Sequence, residues 1–292
     1  MKQWLSPAKL NLFLYITGRR SDNYHNLQTL FQFIDYCDIL IFNVRQDNKI
    51  NLLTDFTNVP VNKNLIVVAA EQLKSYTNRN DLGVDITIDK KIPMGGGLGG
   101  ASSNAATVLV ALNQLWQLNL STEILMDIGR KIGADVPIFI YGHAAFAEGI
   151  GDQFHPVDIP EYWYLVTCPN IEISTVEIFN APELTRNTPA QSITDLLSLK
   201  FNELKNDCEE VVRKRYPTID NIITYLSQYG TTRLTGTGAC VFTQCESKQQ
   251  ALAIQGKLNA ALSVNSFVAK SLNTSPLFTI LNKNLNQQSL NG

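Results

Sequence analysis

The chain has 292 residues, of which 45% are hydrophobic and 17% charged, and its formal net charge is −2. That length favours two domains sharing an interface, with enough apolar material for ordinary cores. The charge balance, without a basic stripe, argues against nucleic acid as a partner, and no apolar run approaches the roughly 18 residues that mark a membrane span.

The opening MKQWLSPAKLNLF is too polar, and its apolar part too short, for a signal peptide, so a soluble cytoplasmic protein without a membrane partner is expected. Cys37, Cys168, Cys208, Cys240 and Cys245 show no CxxC spacing and read as reduced packing residues. His25, His143 and His155 have no metal-ligand spacing, and no metal-binding residue is assigned.

In chain order, Leu10, Leu12, Leu14 and Ile16 alternate with Lys9, Asn11, Phe13 and Tyr15, the period of a strand. Residues 18–23 make a loop, 27–34 and 38–44 read as strands, and 64–76 has helical spacing. A short strand over 84–88 runs into a glycine-rich loop, and an unbroken Ala- and Leu-rich helix is predicted over 102–118. Ser121 opens a helix that Gly133 stops, and 144–148 form a strand. The pattern loosens over 149–160, which places a domain boundary near residue 156 and two units at 1–156 and 157–292. The second unit opens with a strand over 162–168 and a short helix at Ser174, where Ser174 and Glu177 fit a capping box. Helices are predicted over 202–214, 217–229 and 248–260, with a second glycine turn at 235–239 and a last strand over 264–271. Helices and strands mixed without strict alternation indicate α+β layers.

Five glycines in six positions, Gly95, Gly96, Gly97, Gly99 and Gly100, let the backbone turn sharply and bring N–H groups close to an anion. The helix that follows aims its dipole and free amides at the same point, and Ser102 and Ser103 add hydroxyls. A flexible linker is the bland alternative, but linkers are rarely wedged between a strand and a strong helix. A dinucleotide fingerprint would place an acid at the end of the next strand, whereas Glu123 and Asp127 fall in a predicted helix. No lysine of the P-loop type follows the glycines, and protein-kinase motifs are absent. Alone, the loop implies nucleotide or phosphate binding.

The pattern P-x-G-x-G-L-G-G-x-S-S-N-A-A at Pro93–Ala106 resembles the nucleotide loop of the GHMP kinase superfamily. PAKLNLFL at 7–14 and TGTGAC at 235–240 resemble its N-terminal strand and its C-terminal glycine motif, with Ala239 where many relatives carry serine. NYHNLQTLFQFID (23–35), GADVPIFI (133–140), AEGIGD (147–152) and NDCE (206–209) are most similar to the superfamily's kinases of cytidylyl-methylerythritol. Ala101 stands where that group usually has glycine.

The resemblance implies a two-domain fold, with an N-terminal domain like ribosomal protein S5 and a ferredoxin-like C-terminal domain. It implies transfer of the ATP γ-phosphoryl group, with Mg2+, to the tertiary 2-hydroxyl of a small cytidylyl substrate, by a monomer or weak homodimer. It assigns ATP to Pro93, Met94, Gly95, Gly96, Gly97, Leu98, Gly99, Gly100, Ala101, Ser102 and Ser103, and brings Asn64 and Leu65 near the adenine. Asp135 matches the family's catalytic aspartate, the natural base for a hindered alcohol; a helix cap is its bland reading. Lys9, on one strand face with Asn11, would keep that carboxylate ionised and stabilise charge on the moving phosphoryl group. Asn11 falls with the substrate side. Tyr24, His25 and Phe179 match the positions that hold cytosine, although Tyr24 and Phe179 without the family pattern would more often be core residues.

Overall fold

Two long antiparallel strands open the chain, β1 (Gln3–Arg19) and β2 (His25–Arg45), paired from Gln3↔Ile41 to Arg19↔His25. The two strands expected at 27–34 and 38–44 are one. The polar break between them serves as a docking point, where the Asp35 carboxylate accepts from Lys270 N and that of Asp38 from Lys91 N and Ile92 N. Register shifts after Pro7, Asn11 and Ile16 bend β1 and re-aim its side chains, as bulges do. Leu10 and Phe13 consequently pack in one core while Leu14 and Ile16 reach another. The computed structural model describes residues 2–56, 59–279 and 281.

Then follow β3 (Ile50–Leu52), α1 (Leu65–Thr77), β4 (Gly83–Asp89), α2 (Gly100–Leu115), α3 (Thr122–Ile132), α4 (Val136–Tyr141), β5 (Ala145–Glu148) and β6 (Gln153–Pro156). The alanines of α2 explain its place at the centre: Ala105, Ala106, Val108, Leu109, Ala111 and Leu112 are all buried, and small residues let neighbouring helices approach closely. Asn64 and Ser121 cap α1 and α3 with side-chain oxygens that accept from Ile66 N and Ile124 N. The sequence reads residues 136–140 only as an apolar run; Pro137 in the first turn and Gly142 at φ 76° make it the short helix α4.

The second half contains β7 (Trp163–Cys168), α5 (Thr175–Phe179), α6 (Ile193–Ser198), α7 (Glu209–Arg215), α8 (Pro217–Leu226), β8 (Thr232–Leu234), β9 (Val241–Cys245), α9 (Lys248–Ala261) and β10 (Asn265–Leu272). The helix expected over 202–214 begins only at Glu209, because the residues before it are committed elsewhere. Asn206 Nδ2 donates to Leu234 O and Gly236 O, and the Asp207 carboxylate accepts from Ile16 N. The capping box at Ser174 is half made: Ser174 Oγ accepts from Glu177 N, while the Glu177 carboxylate turns to Arg215 at 3.2 Å.

One sheet runs through both halves in the order β3-β4-β2-β10-β7-β9-β8, with β1 and β5 also on β2. β10 is the stitch, pairing with β7 over Asn265–Lys270 and with β2 at Ser271 and Leu272. Beyond it the chain returns to the first half, where Thr274 bridges His143 and Leu277 is fully buried. Three apolar clusters result. One lies around α1–α4, one around α7–α9, and a third between them draws on Leu10, Phe13, Leu98, Tyr164 and Phe242.

Candidate active site

The glycine loop is organised by where its carbonyls go. Gly96 O accepts from Cys240 N, Gly97 O from Lys9 Nζ and Thr235 Oγ1, Leu98 O from Lys9 N, and Gly99 O from Ser103 N. Among the described residues, no backbone N–H from Gly95 to Ser102 donates to a protein acceptor. Carbonyls are thus bound inward and amides left free at the N-terminus of the 16-residue α2. Gly95, Gly97 and Gly99 hold φ values of 68°, 75° and 72°, the left-handed region that glycine enters without steric cost. An added Cβ at Gly97 would lie 2.2 Å from Thr235 O, so the second glycine turn seats directly on the first.

The side chains of the loop divide sharply. Met94 and Ala101 are exposed, Pro93 and Ser102 half-buried, and Leu98 packs in the central cluster. The two serines of the loop differ in their surroundings. The side chain of Ser103 is 0% exposed and its Oγ accepts from Ser6 Oγ at 2.8 Å, an interior bond between β1 and α2. Ser102 Oγ instead lies on the side of Gly133, 3.8 Å from where a Cβ there would stand.

Lys9, only 2% exposed, ties β1 to this loop. Its ammonium donates to Asn11 Oδ1 at 2.5 Å and Gly97 O at 3.1 Å, and lies 3.4 Å from Asp135 Oδ2. Three acceptors match the three donors of an ammonium, which is what a buried charge requires. Asn11 is fixed in turn, Nδ2 donating to Thr29 Oγ1 and its backbone N to Thr235 Oγ1. Asp135 occupies the N-cap position of α4, yet its carboxylate makes no cap bond and remains 40% exposed. The helix-cap reading therefore fails for the side chain, which is partly exposed and held by Lys9. Sequence reasoning missed Thr29 and Thr235, whose hydroxyls lock this array; the TGTG motif was the available signal for Thr235. It also missed Lys90, which pairs with buried Asp38 at 2.9 Å beside Gly100. Burial holds the Lys90 ammonium below its usual range.

Of the residues expected to hold cytosine, His25 and Phe179 meet from distant segments. His25 starts β2, is 5% exposed, and stacks on Phe179 at the end of α5 with ring centroids 5.2 Å apart and planes 22° from parallel. Tyr24, at the hairpin tip, is 58% exposed and forms no aromatic pair among the described residues. Its backbone N is fixed by Asp22 Oδ1. One face of Phe179 is covered by His25. Burial, followed by the charges of Arg186 and Arg19, lowers the pKa of His25.

Asn64 and Leu52, Thr54, Asp55, Phe56, Val59 and Val61 line a cleft of about 270 Å³. A larger cleft of about 480 Å³, lined in part by Asn206, Asp207, Glu209 and Arg233, holds none of the residues expected to bind substrate or nucleotide. The NDCE segment at its wall is structural: it clamps β1, β8 and the second glycine turn.

Comparison with known proteins gives this arrangement a family. Residues 64–143 match the model of the GHMP kinases N terminal domain, and residues 186–264 that of the GHMP kinases C terminal domain. A crystal structure of 4-(cytidine 5'-diphospho)-2C-methyl-D-erythritol kinase is similar over 92% of this chain and 99% of its own, with 27% identity and a TM-score of 0.79. A mevalonate kinase is similar over 94% of this chain and 100% of its own at 18% identity, with a TM-score of 0.71. A homoserine kinase from Cytophaga hutchinsonii is similar over 94% of both chains at 17% identity, with a TM-score of 0.65. At those two identities the likeness is one of fold. With two family models in the expected order and the α+β two-domain architecture they describe, the chain belongs to the GHMP kinases.

Proposed function

We propose that the protein transfers the γ-phosphoryl group of ATP to the tertiary 2-hydroxyl of 4-diphosphocytidyl-2-C-methyl-D-erythritol. The observation that carries phosphate binding is the run of free amides from Gly95 to Ser102 over the start of α2, with the carbonyls turned away. Donor-only backbone at a helix N-terminus suits the polyphosphate of a nucleotide. The cleft at Asn64 is the nearest candidate for the adenine, in line with the resemblance of Asn64 and Leu65.

Asp135 supplies the base. As the new P–O bond forms and the bond to the ADP oxygen breaks, the hydroxyl proton passes to the carboxylate, which Lys9 keeps oriented. Lys9 also places a fixed positive charge where negative charge collects on the transferring group. Mg2+, when bound with the nucleotide, neutralises phosphate charge. It typically keeps several waters and takes one or two protein ligands, a demand that the half-buried Ser102 hydroxyl can meet. Ser103, 0% exposed and bonded to Ser6, is turned away from it. Tyr24, His25 and Phe179 form the handle for the cytosine.

The 27% identical cytidylyl-substrate kinase and the His25–Phe179 pocket favour this substrate over mevalonate or homoserine. A coupled ADP-release assay with the three alcohols tests it. Turnover is expected with the cytidylyl substrate at a kcat/KM at least 100-fold above the others, on the ordinary scale of about 2.7 kcal/mol. Preference for mevalonate or homoserine overturns the substrate and leaves the kinase.

A further inference from the structure

Arg186 lies outside every segment that the sequence assigns to the site, yet its guanidinium touches both halves of the base pocket. Nε donates to His25 Nε2 at 3.1 Å. Nη2 donates to Phe179 O at 3.0 Å and Ala181 O at 2.7 Å, and Nη1 to Leu184 O at 3.1 Å. One planar group therefore holds the loop after α5 and the imidazole that stacks on it.

A guanidinium is always charged and only donates. A ring nitrogen that accepts from it carries no proton, so the single proton of the neutral imidazole sits on Nδ1. Protonation of the ring would put two donors face to face, beside a second cation at Arg19, and burial opposes it as well. Among the described residues Nδ1 meets no protein acceptor, so its N–H is available to a ligand.

We infer that Arg186 is a specificity-determining positioning residue: by making Nε2 of His25 an acceptor, it leaves Nδ1–H as the donor offered to the bound base. The specificity clause rests on the cytidylyl reading above. Cytosine presents an unprotonated N3 that accepts such a donor, whereas uracil presents N3–H and meets it donor to donor. Without Arg186 the imidazole can move its proton to Nε2, Nδ1 then accepts from uracil N3–H, and the preference for cytosine fades. The three carbonyl bonds fix the angle at which Nε approaches the ring.

The test uses full-length protein with 15N-labelled histidine and reads the His25 tautomer by long-range 1H–15N correlation, without substrate. In the wild type Nδ1 is expected protonated and Nε2 not. Arg186→Met should shift the ring to a mixture or to Nε2–H, and Arg186→Lys, which keeps a donor, should preserve the wild-type form. In turnover, Arg186→Met should lower the kcat/KM ratio of cytidylyl over uridylyl substrate by about tenfold, the scale of one hydrogen bond, with the KM for ATP little changed. A purely structural role would move neither tautomer nor ratio. An Nε2-protonated wild type overturns the inference, as does an Arg186→Met protein with wild-type tautomer and ratio. Should Arg186→Met fail to fold, the wild-type spectrum and Arg186→Lys decide. The tautomer is read without substrate. A mevalonate-specific enzyme would therefore refute the substrate reading and the specificity clause together, and an Nε2-protonated cytidylyl kinase this inference alone.

Discussion

The phosphate cradle and the base pocket are built on opposite plans. The cradle is backbone: four consecutive carbonyls are bound inward, and the second glycine turn is pressed so closely against it that a Cβ at Gly96 or Gly97 would fall 2.4 Å or 2.2 Å from Cys240 Sγ or Thr235 O. The base pocket is side chain: His25 from the β1–β2 hairpin and Phe179 from α5 meet with Arg186 joining them. On the proposed function, backbone amides would recognise what every nucleotide has, and side chains gathered from two distant segments would recognise one substrate. The two regions are nevertheless linked, because Thr175 Oγ1 at the start of α5 bonds Thr237 Oγ1 in the second glycine turn at 2.9 Å.

The sharpest way to break the comparison lies between the two regions, at Lys9 and Asp135. On the proposed chemistry, Asp135→Asn should lower kcat by about 10²–10⁴, with ATP affinity by calorimetry nearly unchanged. Lys9→Ala should do comparable damage. Because the ammonium also holds Asn11 and Gly97 O, that variant should in addition weaken ATP binding, which Asp135→Asn should not. If the two act as a unit, the double variant is no slower than the poorer single. Near-wild-type turnover of Asp135→Asn would remove it from the chemistry.

A second test concerns the interlock of the cradle. With Thr235 O 2.2 Å from the added carbon and φ at 75°, Gly97→Ala should cost the fold itself roughly 2–4 kcal/mol in urea unfolding. A fully stable Gly97→Ala protein would show that the two turns are less tightly seated than this.

The base pocket predicts a smaller and more selective effect. Phe179→Ala should raise the KM for the cytidylyl substrate by roughly 5–150-fold, borrowing the ~1–3 kcal/mol of base–aromatic stacking. The KM for ATP should hardly move. An equal change in both would mean that the loss travels through Thr175 and Thr237 into the cradle, and the separation of the two regions would fail.

The difference in plan also explains what was legible in the sequence. The cradle could be read because consecutive glycines before an Ala-rich helix encode a backbone shape locally. Lys9 and Asn11 could be placed together because alternation along a strand is equally local. What closes the site is not local. Thr235 reaches Asn11 N across 224 positions and Arg186 reaches His25 across 161, and no spacing rule joins such pairs. The helix boundary at Glu209 was misread for the same reason: the chain before it is spent on Leu234, Gly236 and Ile16, contacts that propensity does not see. Nor could a run of two serines reveal which one faces inward.

That serine pair gives the smallest expected effect and tests how far the cradle is backbone. Ser102 and Ser103 are neighbours in the first turn of α2, about 100° apart on the helix, so one hydroxyl can face the cleft only if the other turns to β1. Ser103 is the one turned inward, its Oγ sharing the single Ser6 hydroxyl proton with Asn104 Oδ1, so losing Ser103 Oγ leaves Ser6 with a partner. Ser103→Ala should therefore cost only about 0.5–1 kcal/mol of stability, with the KM for ATP unchanged. Ser102→Ala removes a half-buried hydroxyl that makes no hydrogen bond to the protein among the described residues, so its cost should fall on nucleotide instead. If that hydroxyl meets a phosphate oxygen or the magnesium ion, the KM for ATP should rise roughly tenfold, the lower end of a hydrogen bond to a charged partner. Equal ATP kinetics in the two alanine variants would mean that amides alone bind the phosphates and that neither hydroxyl takes part. A reversal, with Ser103→Ala the slower enzyme, would contradict the orientation of α2 against β1 on which the whole cradle depends.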